Sequence, residues 1–315
     1  MKPKIAFVFP GQGSQALGLL SALAAFSPII QQTFEIASEV LGKDLWQLAQ
    51  SGPALMLNQT VWTQPVLLAA GVAVWRLWIA QGGQLPDFLA GHSLGEYTAL
   101  TCAGSLELTD AIQLVANRGR YMQAAVPEGE GAMAAIVGLS DQQVCDVCGQ
   151  ATTADTQVSP ANYNMPGQIV VSGHSQAVDC AVQLAKQAGA KLAKRIPVSV
   201  PAHCDLMRSA AQQLHHDLSQ LNFQPPKIPV VNNVTAVVAH TPDGIKQALV
   251  KQLYSPVQWI KSIQWLQMQG VNYFIECGPG KVLSNLIKRM SPAEVTVMPI
   301  EDPINFHNAL DLLRK

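Results

Sequence analysis

Gly91-His92-Ser93-Leu94-Gly95 sets a serine between two glycines, the spacing of a nucleophile elbow when a strand runs in and a helix runs out. A serine on so tight a turn stands in strained backbone geometry, and glycines two positions to either side remove Cβ atoms that would collide. The N–H of Leu94, at the start of the following helix, is placed to bind developing negative charge. Taken alone the segment is a glycine-rich turn; the flanking strand and helix signals favour a nucleophile. A second turn, Gly11-Gln12-Gly13-Ser14-Gln15-Ala16, satisfies the loose dinucleotide pattern, which also needs an acidic residue ending a second strand about twenty residues on. Glu35 and Glu39 stand in a helical stretch instead. The loop can equally face Ser93 from a neighbouring strand end and lend the N–H of Gln12 as a second oxyanion donor, or be a plain turn.

A serine hydroxyl needs a base, and seven histidines are available. Spacing alone does not choose among them. His215 and His216 fall on a polar helix face, His240 and His307 read as loop or surface residues, and the side chain of His92 should point away from that of Ser93. His203 follows Pro201, where the chain leaves a compositionally distinct segment, and could stand at a cleft between two bodies. Arg118 and Arg120, two apart on a helix, face different ways, so at most one enters a site. An arginine there would pair its planar fork with a carboxylate. Cys145 and Cys148 form a C-x-x-C, read as two cysteines on a helix because no thioredoxin-like pattern surrounds them. No metal cluster stands out.

These residues need elements to hold them. Lys4 to Phe9 and Phe88 to Ala90 read as strands; Pro28 to Leu41, Gln64 to Ile79 and, capped by Asp110, Ala111 to Ala125 read as helices. Pro, Gly and acidic residues mark a hinge at 126–131. The rhythm then changes: strand Ala132 to Leu139, helix Asp141 to Gln150, strands Val158 to Asn162 and Gln168 to Gly173, helix Gln176 to Ala188 and strand Lys191 to Val198. That βαββαβ order is the ferredoxin-like split unit. Beyond Pro201 the larger pattern resumes with a helix from Leu206 to Leu221, a strand Val230 to Val238, two further helices, a strand Val271 to Glu276, a turn Cys277-Gly278-Pro279-Gly280 and a helix Val282 to Arg289. The expectation is an α/β fold: a mostly parallel, helix-covered sheet from 1–126 and 200–315, with 127–199 inserted as a small ferredoxin-like subdomain.

The 315 residues can bury a substantial core, and 20 Lys and Arg against 21 Asp and Glu leave no global field to attract nucleic acid or anionic lipid. Met1-Lys2-Pro3-Lys4 leads into an apolar run too short for a signal peptide, and the longest apolar stretch, Val66 to Ala80, holds Arg76 and falls short of the ~20 residues of a bilayer span. The expectation is a soluble, cytoplasmic protein with reduced cysteines.

Together Gly11-Gln12-Gly13-Ser14-Gln15, Gly91-His92-Ser93-Leu94-Gly95-Glu96-Tyr97, Arg118-Gly119, Gly131-Ala132-Met133-Ala134, Pro201-Ala202-His203, Pro256-Val257-Gln258-Trp259 and Glu276-Cys277-Gly278-Pro279-Gly280 resemble, in order and spacing over almost the whole chain, the bacterial malonyl-CoA:acyl carrier protein transacylase family. The resemblance implies a hydrolase-like core with the active site in the groove beside the small subdomain. It implies Ser93 as nucleophile, His203 as base oriented by the backbone carbonyl of Gln252 instead of a carboxylate, Gln12 and Leu94 as oxyanion donors, Arg118 as the grip on the malonyl carboxylate and Asn162 as a nearby polar residue. It implies malonyl transfer from coenzyme A to acyl carrier protein for fatty acid synthesis, by a monomer with no metal or other cofactor. Lys191, Lys194 and Arg195 form a candidate docking patch for the carrier protein. Rival readings are a serine thioesterase or esterase on the same core, and a catalytically idle carrier-protein binding module. Ala202 and Cys277 depart from the family pattern.

Overall fold

The computed structural model describes residues 3–198, 200–291 and 295–314; Met1 and Lys2 of the expected non-signal start, and the expected boundary at 199, lie outside them. Among the described residues nine strands are present: β1 (Lys4–Phe9), β2 (Phe88–Gly91), β3 (Gly131–Val137), β4 (Val158–Met165), β5 (Gln168–His174), β6 (Leu192–Arg195), β7 (Val230–Val231), β8 (Val271–Glu276) and β9 (Thr296–Pro299). They form two sheets, one of order β7-β2-β1-β8-β9 with every pairing parallel, the other of order β4-β5-β3-β6 with every pairing antiparallel. The fold is therefore α/β, and the antiparallel sheet with its helices Asp141–Ala151 and Ser175–Gln187 has the βαββαβ order.

A parallel sheet is covered by helices on both faces, so its strands are apolar at every position and not only at alternate ones. β1 shows this: Ile5, Phe7 and Phe9 belong to the core on one face, while Ala6 and Val8 belong to the core on the other. Phe9 registers with Gly91 and Val8 with Glu276. The carboxyl ends of β1, β2 and β8 thus lie side by side, and the three glycine turns that follow them share one edge of the sheet. Crevices at such an edge are where open α/β sheets bind ligands.

The helix Thr60–Ala80 begins six residues before the apolar stretch read from the sequence and passes through Pro65. At 21 residues it has the length and apolarity of a membrane span, but 83% of its most apolar window is buried inside the protein. It is the core helix of the larger body. Two other expectations are corrected. The expected strand Val230 to Val238 is only Val230–Val231, because Asn232 folds the chain back: its Oδ1 accepts from the N–H groups of Val234 (3.1 Å) and Thr235 (2.9 Å), and Val231 bridges Val238 in antiparallel fashion. Asp110 is not a cap, since its helix spans Leu108–Ala124 and starts after Glu107, leaving Asp110 inside the first turn. His307 is a surface residue as expected, exposed on the helix Pro303–Leu313, which with β9 and the helices Ser21–Phe26 and Leu45–Ser51 had no clear signal in the sequence.

Candidate active site

Ser93 joins β2 to the helix Leu94–Cys102 with φ 52° and ψ −108°. A non-glycine residue at positive φ is strained by ~1–3 kcal/mol and persists only where its surroundings enforce it. The enforcement is visible. A Cβ on Gly91 would fall 1.8 Å from the carbonyl carbon of Gly95, and one on Gly95 would fall 2.0 Å from the Phe9 carbonyl oxygen. Asn233 clamps the backbone on both sides of His92, accepting from the Ser93 N–H (2.6 Å) and donating to the Gly91 carbonyl (2.6 Å), and the Gln252 side chain donates to the Ser93 carbonyl (3.1 Å). Within the turn the N–H groups of Gly95 and Glu96 bond to the His92 and Ser93 carbonyls. Leu94, first in its helix, has no preceding turn to donate to.

The Ser93 hydroxyl lies 2.8 Å from His203 Nε2, and His203 Nδ1 lies 2.7 Å from the Gln252 carbonyl oxygen. A carbonyl only accepts, so Nδ1 carries the hydrogen and Nε2 presents its lone pair to the serine. Gln252 ends the helix Pro242–Gln252, where carbonyls lack helical partners and the dipole favours a positive imidazole. The next carbonyl, Leu253, accepts the His203 backbone N–H at 3.0 Å. His203 also sits at positive φ, 64°, so both members of the pair are held in strained backbone. Burial first, and the charge of Arg118 second, lower the His203 pKa from 6.5 to about 3; the resting imidazole is neutral.

Arg118 comes from the helix Leu108–Ala124 and is 1% exposed, whereas Arg120 is exposed on the same helix. The neighbouring Gly119 permits this depth, because a Cβ there would press to 2.7 Å from the Thr60 carbonyl. Arg118 Nη2 donates to Ser93 Oγ (3.2 Å) and Gln252 Oε1 (3.0 Å), Nη1 donates to Gln64 Oε1 (2.7 Å), and the guanidinium stands 5.2 Å from the centre of the Tyr97 ring. No carboxylate touches it among the described residues.

These groups line a narrow cleft of about 100 Å³. Gln12, Ser93, Leu94, Arg118, Met122 and His203 come from the larger body; Met133 of β3 and Asn162 of β4 come from the antiparallel sheet, with Ile196 and Val198 beyond β6. β4 is tied to the larger body by Tyr163 N–H to Val257 O (3.0 Å) and Val257 N–H to Ala161 O (2.9 Å), which holds Asn162 over the cleft. The six expected residues Gln12, Ser93, Leu94, Arg118, Asn162 and His203 all reach this cleft, with Gln252 directly behind it. His92 turns away from Ser93 to Asn164 Oδ1 (2.8 Å), and His215, His216 and His240 are exposed and do not line the cleft. Cys145 and Cys148 are free thiols on one helix, and burial lifts Cys148 to about 12, too high for a reactive thiolate. Cys277 is a buried thiol in the apolar place of its turn, and Ala202 lines the cleft. Of the candidate patch, Lys191 and Lys194 are exposed, while Arg195 is engaged with Asp179 through two bonds of 2.6 and 2.7 Å. Asn233, Glu96, Gln64 and the side chain of Gln252 were not expected; the first stood inside a supposed strand, and buried side-chain networks leave no periodic trace.

The family model described as acyl transferase domain matches residues 6–300. The chain is 51% identical over 309 residues to a malonyl CoA-acyl carrier protein transacylase of Escherichia coli K12, covering 98% of this chain and 99% of that one. Among solved structures, the malonyl CoA-acyl carrier protein transacylase of Coxiella burnetii superposes with a TM-score of 0.98 at 48% identity, over 100% of this chain and 99% of that one. A malonyl transacylase solved in complex with its type II PKS acyl carrier protein superposes with a TM-score of 0.96 at 47% identity, over 98% and 99%.

Proposed function

The chain belongs to the acyl transferase family and, within it, to the malonyl CoA-acyl carrier protein transacylases, and from that premise we propose that it moves a malonyl group from coenzyme A to the phosphopantetheine thiol of acyl carrier protein through an ester on Ser93. The observation that carries this reading is a buried arginine with no carboxylate partner among the described residues, 3.2 Å from the hydroxyl of a serine that is itself paired with a neutral imidazole. A guanidinium so placed selects an acyl group that brings its own carboxylate.

In the first half-reaction His203 Nε2 takes the Ser93 proton as Oγ attacks the thioester carbonyl carbon. The oxyanion is held by the N–H groups of Gln12 and Leu94, and the carbon–sulfur bond breaks as the imidazolium returns its proton to the coenzyme A thiolate. In the second, the carrier-protein thiol gives its proton to Nε2 and attacks the malonyl ester, and the proton passes to Ser93 Oγ as that bond breaks. The kinetics are ping-pong. An imidazole with a pKa near 3 is a weak base, and Arg118 is one cause. A malonyl carboxylate on Arg118 cancels that charge and raises the basicity of His203 as the correct substrate arrives. Acyl transfer from a thioester needs neither a metal nor a redox cofactor, because the leaving group is already activated.

The same reading makes the protein a cytoplasmic monomer serving fatty acid synthesis, with exposed Lys191 and Lys194 available to an acidic carrier protein. Incubation with malonyl-CoA and holo carrier protein, with both products quantified, tests it. Malonyl carrier protein should form in large excess over free malonate; free malonate as the main product would instead make the protein a thioesterase.

A further inference from the structure

Four buried polar residues behind the cleft form a chain in which each hydrogen bond fixes the next. Glu96, three residues after the nucleophile and 2% exposed, accepts through Oε2 from Gln252 Nε2 (2.7 Å) and from the Asn233 N–H (3.0 Å). A carboxylate offers only acceptors, so the Gln252 amide must turn its NH₂ toward Glu96. Its oxygen then faces the other way, toward Arg118, which offers only donors and bonds to it at 3.0 Å. Were the amide reversed, its NH₂ would meet the guanidinium and its oxygen would meet the carboxylate, two contacts of like kind.

The second observation concerns charge. A fully buried guanidinium usually sits against a carboxylate. Here burial lowers the Arg118 pKa, and Tyr97 and then Glu96 oppose that shift; Glu96, the nearest carboxylate, acts from one amide away, with Gln252 standing between the two. Arg118 meets neutral oxygens of Gln64, Gln252 and Ser93, and its Nε has no hydrogen-bond partner among the described residues. A direct Glu96–Arg118 pair would satisfy the guanidinium and compete with any carboxylate on the substrate.

We propose that Glu96 is a specificity-determining positioning residue: by fixing the Gln252 amide it aims Arg118 and supports its charge at one remove, leaving the guanidinium free for the carboxylate of the acyl group. The inference rests on the reading of Arg118 as the carboxylate grip. It differs from a simple brace, in which Glu96 only holds Asn233 and hence the elbow, since loss of a brace slows acylation by every donor alike.

The test measures acylation of Ser93 in the full chain by malonyl-CoA and by acetyl-CoA, in the parent protein and in Glu96→Gln, with a thermal melt to establish folding. The malonyl-over-acetyl ratio of kcat/KM should fall by about tenfold or more, mainly through a higher KM for malonyl-CoA. A ratio unchanged while both rates drop together overturns the proposal in favour of the brace. Should Glu96→Gln not fold, the parent protein answers alone. Burial raises the Glu96 carboxyl to about 7, and the titratable groups that act on it are Arg118 on the next helix and Tyr97 on its own. As pH falls from 8 to about 6, KM for malonyl-CoA should climb while that for acetyl-CoA does not; parallel behaviour of the two substrates overturns the proposal. Arg118→Ala separates the layers. If it keeps the preference for malonyl, the grip itself fails and the inference falls with it; if it loses the preference and Glu96→Gln does not, only the step from Glu96 falls.

Discussion

Two turns of nearly the same design flank β1. On one side β2 runs through Gly91-His92-Ser93-Leu94-Gly95 into the helix Leu94–Cys102; on the other β8 runs through Cys277-Gly278-Pro279-Gly280 into the helix Val282–Met290. Each region holds a buried glutamate whose pKa is raised to about 7, by burial in both cases. They differ in what the acid touches. Glu276, the last residue of β8, receives the N–H groups of Leu283 (3.0 Å) and Ser284 (2.7 Å), so its carboxylate occupies the anion-binding end of the helix that follows. Glu96 turns away to Gln252 and Asn233, and the N–H of Leu94 is left over. A strand–turn–helix becomes a site for substrate anions only when the protein's own acid is directed elsewhere.

The largest effect expected of this contrast is at the elbow. His203→Ala should slow acylation of Ser93 by about 10² to 10⁴-fold in single-turnover measurements, the range for loss of a general base. A smaller loss would mean that the geometry around Ser93 does not depend on its imidazole. Arg118→Ala comes next. Its malonyl-over-acetyl preference should drop by roughly 10 to 100-fold, the worth of charge-assisted hydrogen bonds, and the His203 pKa should move upward in an NMR titration because a neighbouring positive charge is gone.

At the second turn a substitution should cost stability instead of rate. Glu276→Gln leaves one helix N–H facing an NH₂ group and should lose about 1–3 kcal/mol in urea unfolding, with the acylation rate of the folded fraction unchanged. Its sign with pH is opposite to that of His203. The folded Glu276 pKa, about 7, lies above its ordinary value of 4.5. Its contribution is therefore complete below 4.5 and is lost as pH rises through about 7, a decline that Glu276→Gln should remove. The folded His203 pKa, about 3, lies below 6.5. The unfolded chain binds the proton more tightly, so the parent should lose stability as pH falls from 6.5 toward 3, and His203→Ala should lose less. Smallest is Asn162→Ala, which removes one polar wall of the cleft; a change of about fivefold in kcat/KM is expected, the worth of one neutral hydrogen bond.

What the sequence made legible follows the same division. The elbow could be read because its chemistry is local: Gly91, Ser93 and Gly95 act on one another across five residues. The βαββαβ order could be read because periodicity and turn residues are local as well. Asn233 could not, since it grips the elbow from 140 residues away and lies between two valine pairs that imitate a continuous strand. Glu96 was in plain view within the motif, yet nothing adjacent to it in sequence tells whether its carboxylate caps the helix after the turn, as Glu276 does at the other turn, or reaches across to Gln252. Spacing separated Arg118 from Arg120 only as far as saying that at most one of them enters, and the family resemblance chose Arg118; the close approach allowed by Gly119 against Thr60 is the physical reason it reaches the site. The helix Thr60–Ala80 shows the same limit, since an apolar stretch reads alike whether protein or lipid surrounds it.

The central claim is that the Ser93 hydroxyl, bent into reach of His203 and Arg118, accepts the acyl group. Intact-mass measurement of the full chain mixed with malonyl-CoA, beside Ser93→Ala treated identically, tests it most directly. One malonyl increment on the parent and none on the variant is the predicted result; an increment of equal occupancy on both would contradict it.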